Sequence, residues 1–228
     1  MLDISINRDP RAATEYGRFA MLLSSDSCSR LPYDEVLLDL GECVVAPTLG
    51  SILPYWLLVV PRAPSLNFSQ WRARTNVEPH RLVAATLEAY GIHECRAIWF
   101  EHGAAELGSA LACGADHAHL HIIVDAPFSF DAFITAAAHA SHVSWQTKSV
   151  ERAYSSVDPD RSYLLAVSAS QVLVAERVES VGSQFFRRVI AKLVGQPDAW
   201  NYRTHPNIEN VQKTLEAFGT ELTQRLVR

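Results

Sequence analysis

Short unbroken apolar runs alternate along much of this chain with stretches whose apolar positions recur three and four residues apart, which predicts strands interleaved with helices. The runs ECVVAPT (42–48) and PYWLLVVP (54–61) are β-rich and flank a loop around Leu49, Gly50 and Ser51, so they are expected to be paired strands. PHRLVAATLEAYG (79–91) has proline near its start, glycine at its end and a stripe at Leu82, Val83, Thr86, Leu87 and Tyr90, the pattern of an amphipathic helix. A strand over CRAIWFEHG (95–103), a loop of small residues (AAELGSALACGAD) and a strand over HAHLHIIV (117–124) follow. After Ser129, which is placed to cap it, FDAFITAAAHA reads as a helix, and HVSWQTKSV as a further strand.

The ends of the chain differ from this middle section. Residues 1–34 are polar and interrupted by Pro10, Gly17 and Pro32, so an irregular lead-in or short helix is expected there. From residue 151 onward, SYLLAVS (162–168) and QVLVAERV (171–178) predict a hairpin, and SQFFRRVIAKLVG (183–195) a helix with Phe186, Val189, Ile190 and Leu193 on one face. A last helix is expected from residue 207 to about 226, burying Val211, Leu215 and Leu222. The organisation that results is a lead-in (1–34), a core (35–150) and a C-terminal extension (151–228) packed on that core.

Composition narrows the function classes. The 228 residues, 48% of them hydrophobic, suffice for a core that buries roughly 70% of the unfolded surface without staples. The 20 basic residues against 25 acidic ones give a net charge of −5, and no segment gathers cations, so neither a nucleic-acid partner nor an anionic membrane surface is expected. A small anionic ligand is compatible with that balance. Cys28, Cys43, Cys95 and Cys113 form no CxxC pair, which reads as buried small hydrophobes in a reducing compartment. The first twenty residues carry charges throughout, and the longest apolar run (53–61) is too short to span a bilayer, so a cytoplasmic location is expected.

Candidate chemistry concentrates at His117, His119 and His121. On a strand the side-chain period of two turns all three imidazoles to one face, with Ala118, Leu120 and Ile122 on the other. Core histidines are poor fillers, so two functional readings stand beside the plain one of satisfied core residues. A metal site would use the imidazoles as ligands and would want a further ligand such as Glu101, Asp116 being on the opposite face. Nucleophilic catalysis on phosphorus would use one imidazole as nucleophile and the others as donors to the anionic oxygens. Gly114, three residues before the first histidine, allows close backbone approach to a phosphate, which favours phosphate over metal.

HAHLHII matches the His-φ-His-φ-His-φ-φ signature of the histidine triad superfamily, and FEHGA followed by CGADHAHLHI resembles the strand, loop and strand around the site of bacterial members. The upstream segment VVAPTLGSILPYWLLVVPRAPS is similar to the first hairpin of that family, with Tyr55-Trp56 where Gly-His is usual. The resemblance covers about residues 35–150. It implies an α+β fold, an antiparallel sheet flanked by helices, here with a C-terminal β-hairpin plus helices as an extension. It also implies a nucleotide substrate, no cofactor, and His119 as the nucleophile that forms a nucleotidyl-histidine intermediate at the α-phosphate. His117 and His121 would orient it and contact phosphate and leaving group. Substrate-binding roles fall on Gly114, Cys113, Glu101 and His102, with a buried, hydrogen-bonded Glu101 as the alternative. Gly114 stands where a small polar residue usually assists the leaving group, so a backbone N–H or His117 would supply that help. Tyr55-Trp56 would stack on a base or fill the strand core, the latter preferred.

Cleavage of a phosphoanhydride, phosphoester or phosphoramidate by a hydrolase is the leading expectation, ahead of a nucleotidyltransferase or phosphorylase using the same intermediate. A non-catalytic nucleotide-binding module is the alternative of a different class, and a metal-dependent hydrolase the third. Arg187, Arg188 and Arg203 would reach a far phosphate or, the preferred reading, lie solvated on a helix face. Trp200 and Tyr202 read as packing residues. A homodimer through the sheet edge or a helix is open, because the extension competes for that surface.

Overall fold

Apolar stripes, with a serine cap before Phe130, place four of the helices where the sequence puts them. The computed structural model describes residues 19–24, 31–112, 114–176, 178 and 181–225, with side chains as far as position 219. Its strands are β1 (Leu38–Asp39), β2 (Cys43–Pro47), β3 (Trp56–Pro61), β4 (Ala97–Gly103), β5 (Leu120–Val124), β6 (Gln146–Lys148), β7 (Tyr163–Val167) and β8 (Val172–Glu176). The helices are α1 (Ala20–Leu23), α2 (Phe68–Thr75), α3 (Pro79–Ala89), α4 (Phe130–Ala140), α5 (Phe185–Leu193) and α6 (Ile208–Arg225). Ser129 caps α4 as expected, its hydroxyl accepting from the Ala132 N–H. The sequence reading missed α2, which Asn67 caps by accepting from the Gln70 N–H at 2.8 Å. Of the stripe expected on α6, Val211 is buried and Leu215 partly so, while Leu222 lies outside the described side chains.

The strands form one eight-stranded sheet in the order β1-β2-β3-β5-β4-β7-β8-β6, antiparallel at every pairing. The molecule is thus an α+β protein with helices on both faces of an antiparallel sheet. The C-terminal extension is more than a layer on the core: its hairpin β7–β8 continues the sheet, and β7 pairs directly with β4. Period-two alternation divides the core accordingly. Leu57, Leu120, Ile122 and Leu165 point to one side, against Phe68 and Trp71 of α2 and Leu87 of α3. Trp56, Phe100, Ile123 and Leu164 point to the other, against Phe133 of α4 and Phe186 of α5. On that second side α1 covers Val44, Leu58 and Val60 through Leu22, with Phe19 just before it.

The segment before α6 and its first turns strap the β2–β3 loop. Gly50 donates its N–H to the Pro206 carbonyl, Asn210 donates to the Ser51 and Ile52 carbonyls, and the Tyr55 N–H donates to Thr214 Oγ1. Gly50 has φ of +69°, and a Cβ there would stand 2.5 Å from Tyr202 Cβ. Among the described residues, no helix is long and apolar enough to cross a membrane. Cys43 is buried, and burial, with the Glu42 charge adding to it, pushes its thiol up to about 12. Cys95 is exposed, contrary to expectation, and Cys28 lies outside the described residues.

Candidate functional site

The histidine-rich segment enters the sheet later than its pattern suggests. β3 ends at Pro61, which has no N–H to continue a ladder, so β5 starts at Leu120 and leaves His117 and His119 in the loop before it. That loop is still extended, because the Ala118 N–H donates to the Ser65 carbonyl at 2.6 Å. The alternation therefore persists: Ala118 packs in the opposite core with Leu120 and Ile122, and His119 and His121 share a face with ring centroids 5.0 Å apart.

Each imidazole is held by a different partner. His119 Nδ1 lies 2.8 Å from the His117 carbonyl oxygen, to which it donates; its proton is thereby fixed on Nδ1, and Nε2 keeps a lone pair. His121 shows the reverse arrangement. Its Nδ1 accepts from Trp56 Nε1–H at 3.0 Å, which leaves Nε2 as the protonated nitrogen. Burial holds His121 well below the usual histidine range, with charge on His119, His102 and Arg187 acting the same way, so it is a neutral donor at neutral pH. His117 Nε2 donates to the Pro61 carbonyl at 2.8 Å. Its pKa is lowered by burial, against the raising effect of that hydrogen bond, and its ring lies 5.7 Å from that of Phe19.

His119 and His121 line an open cleft. One wall is Phe19 and Leu58, with Ala115 from the glycine loop; Phe19 lies 5.4 Å from the His119 ring. Thr48 and Leu49 come from the β2–β3 loop, and Gln184, Arg187 and Tyr202 from the C-terminal extension. Arg187 is only 3% exposed. It donates from Nε to the Trp200 carbonyl at 2.9 Å, donates to the Gly50 carbonyl, and stands 5.2 Å over the Trp56 ring. Thr48 Oγ1 is buried with no hydrogen-bond partner among the described residues. A buried cation, an unspent hydroxyl, a neutral N–H donor and a nucleophilic nitrogen meet where no carboxylate lines the wall among the described residues. Such a lining receives an anion.

Several expected site residues stand elsewhere. Glu101 is not a ligand contact: it pairs with Leu120 across β4–β5 and so faces away from the histidines. Its carboxylate accepts from the Phe68 N–H, Tyr154 Oη–H and Tyr163 Oη–H at 2.8, 2.8 and 2.6 Å. Burial pushes this carboxyl up to about 7 against the lowering effect of those three donors. His102 is on the correct face but sits behind His121, its Nε2 accepting from the Phe186 N–H at the start of α5. It does not line the cleft, and burial first, then the charges of His119, Arg187 and Arg188, holds its pKa well below the usual range. Gly114, at φ +74°, is exposed beside Arg203, whose guanidinium lies 2.5 Å from where a Cβ would be. Cys113 lies outside the described residues.

The preferred reading of three arginines solvated on a helix face is corrected for Arg187, which is buried, and for Arg188, which is half-buried and donates to the Val181 carbonyl; Arg203 is exposed, but in a turn rather than on a helix, and stacks 4.9 Å from the Tyr202 ring. Tyr55 packs edge-on against Phe218 away from the cleft, and Trp56 joins the core while also holding His121. Among the described residues no group of three His, Cys, Asp or Glu is arranged to hold a metal ion. Phe19, Thr48 and Gln184 were not recognisable as site residues from motif matching, whereas Arg187 was a candidate for the phosphate with the solvated reading preferred. Against protein-family models and curated proteins, the chain matches none.

Proposed function

We propose that the chain is a nucleotide hydrolase of the histidine-triad type, cleaving at the α-phosphate through a nucleotidyl intermediate on His119. The observation that carries this reading is the hydrogen bond from His119 Nδ1–H to its neighbour's carbonyl, which leaves Nε2 as a nucleophile facing an anion-receptive cleft. The triad signature and the antiparallel sheet around it support the family resemblance.

In the first step the Nε2 lone pair forms a bond to the α-phosphorus and the bond to the leaving oxygen breaks. The ring becomes cationic, and the His117 carbonyl stabilises it through the Nδ1–H. His121 Nε2–H donates to a non-bridging oxygen, and Arg187 offsets the charge on the departing group. In the second step a water oxygen attacks phosphorus, the N–P bond breaks, and the proton of water passes to solvent.

His121 is neutral and none of the described residues that line the cleft carries a carboxyl, so this lining supplies no acid for an alkoxide. A phosphoanhydride, whose phosphate leaving group needs no proton, therefore suits the site better than a phosphoester. The test is phosphate or nucleotide release from a panel of nucleoside polyphosphates, with calorimetry for binding. His119→Ala should abolish release and keep binding; Arg187→Met should lower kcat/KM by about 100-fold. Full turnover in His119→Ala would overturn the reading.

A further inference from the structure

A second recessed site lies on the outer side of α5, facing α4. Phe185, Arg188, Val189 and Lys192 stand at i, i+3, i+4 and i+7 and share one face of α5. Opposite them α4 offers Ala136 and Ala140, and the small side chains leave an open groove that Pro197 and Trp200 also line. Among the described residues the lining is apolar except at Arg188 and Lys192, with no acidic side chain in it. Arg188 donates to the Val181 carbonyl, but its Nε is buried with no hydrogen-bond partner among the described residues. A guanidinium with an unpaired Nε, a lysine one turn away and a trough of alanine, valine and aromatic surface match an anionic head joined to an apolar body.

We propose that this groove binds a small amphiphilic carboxylate, aliphatic or aromatic, with its head on Arg188 and Lys192 and its body between α4 and Trp200. The site is separate from the histidine cleft, and its existence does not depend on the reaction proposed there. The two are nevertheless mechanically joined. The backbone carbonyl of Trp200 holds Arg187 Nε, so a ligand packed on the Trp200 ring steadies the cation that lines the cleft.

The test is titration of the full chain with octanoate by calorimetry, with 1-octanol as the neutral comparison and indole N–H chemical shifts locating the site. Octanoate should bind saturably at one site, shift the Trp200 resonance, and bind at least about tenfold more tightly than octanol. Arg188→Gln with Lys192→Gln should weaken octanoate by about tenfold or more. Ala140→Phe, at an exposed position of α4, should block the groove without altering its charge. Absence of saturable binding, equal affinity for octanol, or undiminished binding in either variant would overturn the proposal.

Discussion

Replacing Trp56 by phenylalanine probes the link between the sheet and the site. Trp56 is 0% exposed, donates to His121 Nδ1, lies edge-on to the rings of His121 and Phe100 at 5.7 and 5.8 Å, and carries the Arg187 guanidinium over its face. Phenylalanine keeps an aromatic ring but removes the donor, leaving a buried imidazole nitrogen unsatisfied at a cost of about 1–3 kcal/mol. The void left by the smaller ring adds on the order of 1 kcal/mol, and the weaker cation–π contact about 0.5 kcal/mol. Together the loss is roughly 2.5–4.5 kcal/mol, a fall in Tm of about 5–18 °C for a domain of this size. Urea unfolding with an unchanged m-value would measure it. Long-range 1H–15N correlation would read the His121 tautomer, expected with its proton on Nε2 in the wild type and redistributed toward Nδ1 in the variant. A loss under about 1 kcal/mol with the proton still on Nε2 would show that the Trp56 hydrogen bond does not set that imidazole.

Two further predictions test what surrounds the site. Glu101 has a folded-state pKa raised from 4.5 to about 7, so the folded chain holds this proton more tightly than the unfolded one. Its contribution is complete below pH 4.5 and is lost as pH rises through about 7, a loss of about 3 kcal/mol that Glu101→Gln should remove from a stability profile against pH. A profile of the same slope in the variant would refute the assignment. The glycines at positions 50 and 114 should respond differently to alanine, although both have positive φ. Gly50→Ala meets the Tyr202 backbone and the His205 carbonyl and should cost more than about 3 kcal/mol in unfolding experiments, whereas Gly114→Ala meets only the mobile end of Arg203 and should cost about 1 kcal/mol. Equal costs would contradict the packing of the strap on the β2–β3 loop.

What was legible in the sequence was local. Ser129 before an apolar stripe, Pro79 at a helix start and two β-rich runs around Gly50 each gave an element within a few residues of its observed bounds. The alternation of His117, His119 and His121 correctly separated them from Ala118, Leu120 and Ile122, even though the ladder reaches only Leu120. Tertiary placement was not legible. Nothing local says that β7 pairs with β4, so the extension was expected on the core rather than in its sheet. Glu101 and His102 could have been separated earlier, because neighbours on a strand cannot both face one site; which of them faces it depends on the β4–β5 register. Arg187 and Arg188 could have been distinguished as well. At about 100° per residue, Arg187 flanks the stripe of Phe186, Val189, Ile190 and Leu193, while Arg188 points the other way. Phe19 gave no signal, since one phenylalanine in a polar lead-in has no period to read.

Bond formation between His119 Nε2 and phosphorus during turnover can be read from intact-protein mass after rapid acid-free quenching. Wild-type protein mixed with a nucleoside polyphosphate should gain the mass of one nucleoside monophosphate residue, the adduct should decay as product appears, and His119→Ala should show neither adduct nor product. Turnover without any adduct in the wild type, or an adduct that survives in His119→Ala, would contradict the account.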